Sequence, residues 1–363
     1  MFFSELVVGL VLVALAFVAG FVKGRSSRAD RAKSASDPTA RTGSAPASQA
    51  GGPAGPTSGR RSPASVLRQA PAAEAPLPSI TSVRSWGYQL QDLDVKRAAA
   101  SHFDLLVIDY AKDGTDDTAL TPAEVARIQA KPDGGRRLVL AYLSIGEAES
   151  YRFYWRKPWS RQRPAWLLRE NPDWDQNYAV CFWDPEWQAL LFGNPEAYLD
   201  KILAQGFDGI YLDKCDVTED LRRRERKAAA TRTDLEGDMV ELVRRLADYA
   251  RRTRPGFLVV MQNAETLLER AELRRAIDAV AKEELLFGLD AAEKANDRDE
   301  IDWARKRLDL VRTDGKPVLV VEYLDNGAKI AQAAKATRDF GYVLYVADKD
   351  RELDSLREDP SVA

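Results

Sequence analysis

The sequence predicts an α/β protein, a (β/α)8 TIM barrel, on three observations. Eight apolar runs of strand length recur between residues 79 and 363. Most are continuous rather than alternating, as parallel strands covered on both faces must be. Helical patterns lie between several of them, and eight strands alternating with helices over roughly 280 residues suit a closed barrel. A doubly wound open sheet is the alternative. No GxGxxG or Walker-type glycine loop follows any of the runs, which removes the usual reason for such a sheet.

The chain opens with an apolar segment. LVVGLVLVALAFVAGFV (Leu6–Val22) carries no charge, and about 17 residues is the lower edge for a membrane-spanning helix. Its start has Glu5 but neither Lys nor Arg, and VAGFVKG is a poor cleavage site. Residues 1–23 therefore read as an uncleaved transmembrane or signal-anchor helix rather than a signal peptide. Lys23, Arg25, Arg28, Arg31 and Lys33 follow it, and the positive-inside rule would keep the C-terminal bulk in the cytoplasm. Residues 24–78 are rich in Ser, Ala, Pro, Gly and Arg. Such a segment buries too little surface to offset its ordering entropy, so it reads as a disordered linker. Residues 79–363 form the globular zone.

The predicted strands are WGYQL (Trp86–Leu90), FDLLVIDY (Phe103–Tyr110), RLVLAYLS (Arg137–Ser144) and DGIYLD (Asp208–Asp213). FLVVMQN (Phe257–Asn263), DAVAKEE (Asp278–Glu284), PVLVVEY (Pro317–Tyr323) and YVLYV (Tyr342–Val346) complete the eight. TPAEVARIQA offers a Thr N-cap, a Pro at the first helical position and an early Glu. DMVELVRRLADYARR has apolar residues at helical spacing, and NGAKIAQAAKATRDFG ends on a glycine. About sixty residues separate the third and fourth strands, too many for a bare connection. They hold Trp155, Trp159, Trp166, Trp174, Trp183 and Trp187, six of the chain's eight tryptophans. These rings are expected either to form the core of a helical lid or to line a cleft as stacking platforms for sugars.

Composition narrows the function. A formal net charge of −3 argues against a nucleic-acid binder. His102 is the only histidine, and Cys181 and Cys215 form no CxxC pair. Ser-His-Asp, Cys-His and zinc chemistry are thereby disfavoured, and no cofactor or metal is expected. Carboxylates, amides and tyrosines remain, and they gather where a barrel carries its chemistry, at the C-terminal strand ends. Those ends supply Gln89 and Gln91, Asp109 and Tyr110, then Tyr142, Ser144, Glu147 and Glu149. Asp213 and Asp216 follow, then Gln262, Asn263 and Glu265, Glu283 and Glu284, Glu322 and Tyr323, and Asp348. Any one of these acids suits a helix cap. The set points to glycoside hydrolysis, which needs one protonated and one ionised carboxyl group. Asp213 and Glu283 end strands two apart, where carboxyl groups can stand the ~5 Å apart of a retaining enzyme, or further apart for an inverting one.

The motifs SWGYQLQ, FDLLVIDYAKDG, LAYLSIGEAESYRFYW, FWDPEWQ, GFDGIYLDKCD, VVMQNAE, AKEELLFG and VVEYLDN resemble, in order, those of the endo-α-1,4-polygalactosaminidase-like glycoside hydrolases. The resemblance spans nearly all of the globular zone. It implies a barrel that cleaves α-1,4-linked galactosamine- or N-acetylgalactosamine-containing polysaccharide. The catalytic Asp falls on Asp213 and the catalytic Glu on Glu283, with Glu284 the neighbouring alternative. Asp213 is assigned as nucleophile and Glu283 as acid/base; the reverse stays open. Asp109, Tyr142, Glu147 and Glu322 are expected in the substrate pocket. Trp86, Tyr88, Gln89, Ser144, Trp183, Tyr211, Gln262, Asn263 and Tyr323 join them as candidate substrate-binding residues. Such polymers lie outside the cytoplasm, so the resemblance places the domain at the cell envelope, against the positive-inside signal. There Cys181 and Cys215 become candidates for a disulfide. The alternative function is a polysaccharide-binding barrel without catalysis, and a monomer is expected in either case. Lys214 and Cys215, and the charged stretch DLRRRERKAAATRTDLEGD, depart from the family pattern.

Overall fold

A computed structural model describes residues 77–358. The predicted apolar helix at Leu6–Val22 and most of the predicted linker lie outside the described residues. Among the described residues no helix is long and apolar enough to cross a membrane.

The strands, in chain order, are β1 (Trp86–Gln89), β2 (Leu105–Ile108), β3 (Leu138–Ser144), β4 (Glu147–Glu149), β5 (Leu167–Glu170) and β6 (Asn177–Val180). They continue with β7 (Gly209–Asp213), β8 (Leu258–Gln262), β9 (Ala279–Glu283), β10 (Val318–Tyr323) and β11 (Val343–Ala347). The helices are α1 (Val95–Ala100), α2 (Pro122–Gln129), α3 (Pro185–Leu191), α4 (Tyr198–Gln205) and α5 (Val217–Arg224). After them come α6 (Arg226–Ala229), α7 (Leu235–Thr253), α8 (Ala271–Ala276), α9 (Arg298–Thr313) and α10 (Gly327–Phe340). Helix ends follow local chemistry. Thr121 and Glu124 close a capping box on α2 with Pro122 just inside it. Gly341 ends α10 in the left-handed conformation that a residue without a Cβ adopts freely.

Eight strands form one parallel sheet in the order β1-β2-β3-β7-β8-β9-β10-β11. This is the predicted (β/α)8 architecture. The seam between β1 and β11 is bridged by side chain and tail. The Trp86 indole N–H donates to the Val343 carbonyl at 3.1 Å. The Leu90 and Gln91 amides both donate to the Leu353 carbonyl, and the Gln89 side chain donates to the Asp354 carbonyl at 2.8 Å. Aromatic rings fill the interior. Trp86 packs against Tyr88, Tyr211 and Tyr345 with ring centroids 5.7–6.3 Å apart, and Tyr88 against Tyr211 at 5.1 Å, across β1, β7 and β11.

Three strands begin just after an aspartate that does structural work. Asp104 accepts from the Arg84 and Ser85 amides at the start of β1. Asp208 accepts from the Val139 amide of β3, and Asp278 from the Val259 amide of β8. Each also meets a cation: Lys131 at 3.0 Å, Arg136 at 2.7 Å and Arg251 at 2.7 Å. The predicted strands Phe103–Tyr110, Asp208–Asp213 and Asp278–Glu284 began too early for this reason. Their aspartates satisfy the neighbouring strand's free N–H from outside the ladder.

The insertion after β3 is not a helical lid, one of the two readings its tryptophans allowed. β4, β6 and β5 make a three-stranded antiparallel sheet, joined to the barrel through α3 and α4. NPDWDQN (residues 171–177) is turn chemistry between two short strands, and it wins over any helical reading. Trp166 and Trp187 are buried there with ring centroids 5.3 Å apart. Cys181 and Cys215, candidates for a disulfide, are both free thiols.

One buried cation fastens this insertion to the barrel. The Arg152 guanidinium reaches Glu149 at 2.6 Å and Asp109, beyond β2, at 2.7 Å, and donates to the Gly114 carbonyl at 3.2 Å. The rings of Tyr110, Tyr142, Tyr151 and Tyr198 surround it at 4.9–5.8 Å. Removing the cation strands two carboxylates in a dry site, which typically costs about 3–5 kcal/mol. Arg152→Met is therefore expected to lower the urea unfolding free energy by about that amount. A loss below about 1 kcal/mol, the scale of an exposed ion pair, would show that Arg152 is not the fastening.

Candidate active site

Strand periodicity decides which side chains meet inside the barrel. Side chains alternate between faces, and paired residues of parallel strands share a face. Tyr142 pairs with Tyr211, Ser144 with Asp213, Gln262 with Ala281 and Glu283 with Val321. The inner face thus carries Tyr88, Tyr142, Ser144, Tyr211, Asp213, Gln262, Glu283 and Tyr323. Gln89, Lys282 and Glu322 belong to the outer face.

The backbone turns sharply where β7, β8 and β9 end. Lys214, Asn263, Ala264 and Glu284 adopt φ between 53° and 59°, a left-handed conformation rare for residues with a Cβ. Each such residue costs on the order of 1 kcal/mol or more, and such strain gathers at functional sites. Gly146 lets this happen: a Cβ there would stand 2.2 Å from the Lys214 carbonyl oxygen.

The turn at Lys214 folds its own amide back onto Asp213. The Lys214 N–H donates to Asp213 Oδ1 at 2.6 Å, and the Tyr142 hydroxyl donates to Oδ2 at 2.7 Å. The Lys214 ammonium lies 3.3 Å from Glu147, which also accepts from Asn171 at 2.9 Å. Glu283 is held in the same manner. The Tyr323 hydroxyl donates to one oxygen, and Asn263 Nδ2 donates to the other at 3.2 Å. Asn263 is oriented in turn, its Oδ1 accepting from the Glu283 amide at 3.1 Å and from Lys282 at 3.5 Å. Lys282 is paired with Glu265 at 2.9 Å. Glu284 turns away and engages Arg351, so Glu283 is the member of that pair on the inner face.

Burial pushes the Asp213 carboxyl up to about 7; the charges of Glu283 and Asp216 add to the rise, and Lys214 and Tyr142 oppose it. Burial also raises Glu283, with the Glu284 charge adding and the Tyr323 and Asn263 hydrogen bonds opposing. Tyr88, Tyr142, Tyr211 and Tyr323 are pushed well above their ordinary values by burial, so they remain O–H donors. Tyr88 donates to Gln262 at 3.4 Å. The Tyr211 hydroxyl is buried without a hydrogen-bond partner and feels the charges of Glu283 and Asp213. Two carboxyl groups with raised pKa values, ringed by neutral donors, can share acid and base roles near neutral pH.

Several predicted substrate contacts lie elsewhere. Trp86 is sealed inside the barrel, and Gln89 holds the C-terminal tail. Asp109 belongs to Arg152, and burial raises its carboxyl. The Ser144 hydroxyl is occupied by the Glu147 carbonyl at 3.1 Å. Glu322 faces outward, accepting from the Leu286 and Phe287 amides, and burial pushes it up to about 8. Trp183 packs edge-on against Phe182 in the insertion. Sequence reasoning missed Arg152 and Asn171. The signal for Arg152 was a lone cation amid four aromatic residues in ESYRFYW, a poor place for an unpaired charge. Asn171 gave no signal, because its role arises from a turn that only the folded insertion brings to Glu147. Among the described residues no group of three or more His, Cys, Asp or Glu side chains is placed to hold a metal ion.

Known proteins share this architecture. An uncharacterized protein of Methanocaldococcus jannaschii is 40% identical over 282 residues, covering 75% of this chain and 77% of that one. An uncharacterized protein of Deinococcus radiodurans is 35% identical over 315 residues, covering 84% of this chain and 94% of the other. Among solved structures, the glycoside hydrolase domain of PelA from Pseudomonas aeruginosa superposes with a TM-score of 0.53 at 22% identity. It covers 75% of this chain and 97% of that domain, a likeness of fold. Residues 65–361 match the glycoside-hydrolase family GH114, and the chain belongs to that family.

Proposed function

We propose that this glycoside hydrolase is endo-acting on α-1,4-linked galactosamine- or N-acetylgalactosamine-containing polysaccharide, with Asp213 and Glu283 as a retaining carboxylate pair. The observation that carries the reading is the matched setting of these two carboxyls. Each ends a strand on the inner face, each is partly buried, and each is gripped by a tyrosine hydroxyl.

Asp213 suits the nucleophile. Two donors and the adjacent Lys214 charge favour its ionised form, which attacks the anomeric carbon as the glycosidic bond breaks. Glu283, raised by burial, delivers its proton to the leaving oxygen. The ionised Glu283 then takes a proton from water, whose oxygen displaces Asp213 from the sugar and restores both groups. Glu147 and Asp216 make the surroundings of Asp213 acidic, and an acidic mouth draws a cationic, partly deacetylated polymer. A polymer of this kind is met outside the cytoplasm, so this reading puts the domain at the cell envelope, held there by residues 1–23.

Two outcomes are expected. Asp213→Asn and Glu283→Gln each reduce reducing-end release from partly deacetylated α-1,4-galactosaminan by about 100-fold or more. Equal product from wild type and both variants would remove the pair from catalysis, and no product from wild type would leave a binding barrel as the better reading. The pH profile of kcat/KM reports the groups of the free enzyme. Its acid limb is expected near pH 7, where Asp213 gains a proton. The Lys214 charge favours the ionised carboxylate, so Lys214→Met raises the Asp213 pKa and moves that limb to higher pH. A limb that stays put, or moves down, would remove Asp213 as the ionised group.

A further inference from the structure

The end of β9 is followed by a carboxylate that the mechanism does not use. Glu284 stands one residue past Glu283, with φ at 53°. A residue with a Cβ adopts that conformation rarely, and three groups hold this one in it. The Arg351 guanidinium pairs with the Glu284 carboxylate. Gly288, at φ 111°, leaves the room, since a Cβ there would collide with that carboxylate. Asn296 Nδ2 donates to the Glu284 carbonyl at 2.8 Å. The arginine nitrogen that meets Glu284 also donates to the Gly288 carbonyl at 3.2 Å, which closes the bracket.

Arg351 is itself placed by the closure of the barrel. It lies on the tail after β11, left-handed at φ 62°, with its amide donating to the Asp348 carbonyl at 3.2 Å. The next two residues are fixed to the end of β1. The Glu352 carbonyl accepts from Gln91 Nε2 at 2.8 Å. The Leu353 carbonyl accepts from the Leu90 and Gln91 amides at 2.8 and 3.1 Å. The segment that crosses the β1–β11 seam therefore carries a cation to the end of β9. That guanidinium also lies 5.8 Å from the centre of the Tyr323 ring, whose hydroxyl grips Glu283.

We infer that Arg351 is a positioning residue for the acid Glu283: it holds the Glu284 carboxylate off the inner face and offsets its charge. The inference rests on the hydrolase reading above, with Glu283 as the acid. It gives the tail a part in the chemistry as well as in closing the barrel.

The charges around the pair fix the sign of the effect. Glu283 is faced by Tyr323 from β10, by Tyr211 and Asp213 from β7, and by Tyr88 from β1. Lys282 and Glu284 flank it along its own strand, and Glu322 lies near Glu284 on the outer side. The Glu284 charge raises the Glu283 carboxyl, and Arg351 favours the ionised form of Glu284. Glu283 serves as an acid while protonated, so the basic limb of the kcat/KM profile marks the loss of its proton. Glu284→Gln removes a negative charge and is expected to move that limb to lower pH. Arg351→Met removes a positive charge and is expected to move it to higher pH. The two residues act as one pair, so in the Glu284→Gln background Arg351→Met moves the limb less than about half as far.

The test is the pH profile of the four proteins on partly deacetylated α-1,4-galactosaminan, with thermal melts to establish that each is folded. Arg351→Gln keeps a donor for the Gly288 carbonyl and removes the charge, so it decides the matter if Arg351→Met does not fold. A contact that only braces the tail would lower the Tm and leave the limb in place. That result, a limb moved down by the arginine variants, or an equal move in the Glu284→Gln background would overturn the inference. So would a limb that Glu284→Gln fails to lower. An unmoved limb beside an inactive Glu283→Gln overturns the role of Arg351 alone. Full activity in Glu283→Gln overturns the acid reading and this role with it.

Discussion

The buried Arg152 guanidinium is the constraint on which the rest of the molecule depends. It joins Asp109 at the end of one barrel strand to Glu149 in the insertion, and its plane packs among four tyrosine rings. One of those rings is Tyr142, whose hydroxyl holds Asp213. The same cation therefore fixes the insertion and seats a direct partner of the candidate nucleophile. Desolvation of three charges is costly, and the arrangement stands because each is paired and hydrogen-bonded.

Carboxylates serve both ends of this barrel with different physics. At the N-terminal ends Asp104, Asp208 and Asp278 accept a neighbouring strand's amide and meet a cation. There the ionised form is satisfied, and the role is architectural. At the C-terminal ends Asp213 and Glu283 are partly buried beside further acids, and their carboxyls rise. The left-handed turns at Lys214, Asn263 and Glu284 concentrate backbone strain at this end alone of β7, β8 and β9. Those turns aim the Lys214 amide at Asp213 and the Asn263 side chain at Glu283, while the Lys214 ammonium meets Glu147.

The barrel was legible because its strands are long apolar runs with few competing readings. The candidate pair was legible from strand ends and motif resemblance, and alternation separates Glu283 from Glu284. The same alternation, applied strictly, would have removed Gln89 and Glu322 from the substrate list, since each lies one residue off the inner-facing register. Trp86 obeys the register yet sits too deep, and depth along a strand is not written in the pattern. The insertion was misread because its strands are only three or four residues long, and β4 finds its partner β6 far along the chain. Lys214 was unexplained for a related reason. Its partner Glu147 comes from a different strand end, and its backbone conformation depends on the space left by Gly146.

The central claim is that Asp213 attacks the sugar while Glu283 serves as the acid. Its most direct test is peptide mass spectrometry after reaction with an activated fluorosugar of the α-galactosamine series, which slows breakdown of a glycosyl-enzyme. The account predicts one covalent label, on the peptide and the residue Asp213. A label on Glu283, or on any carboxylate outside this pair, would contradict it.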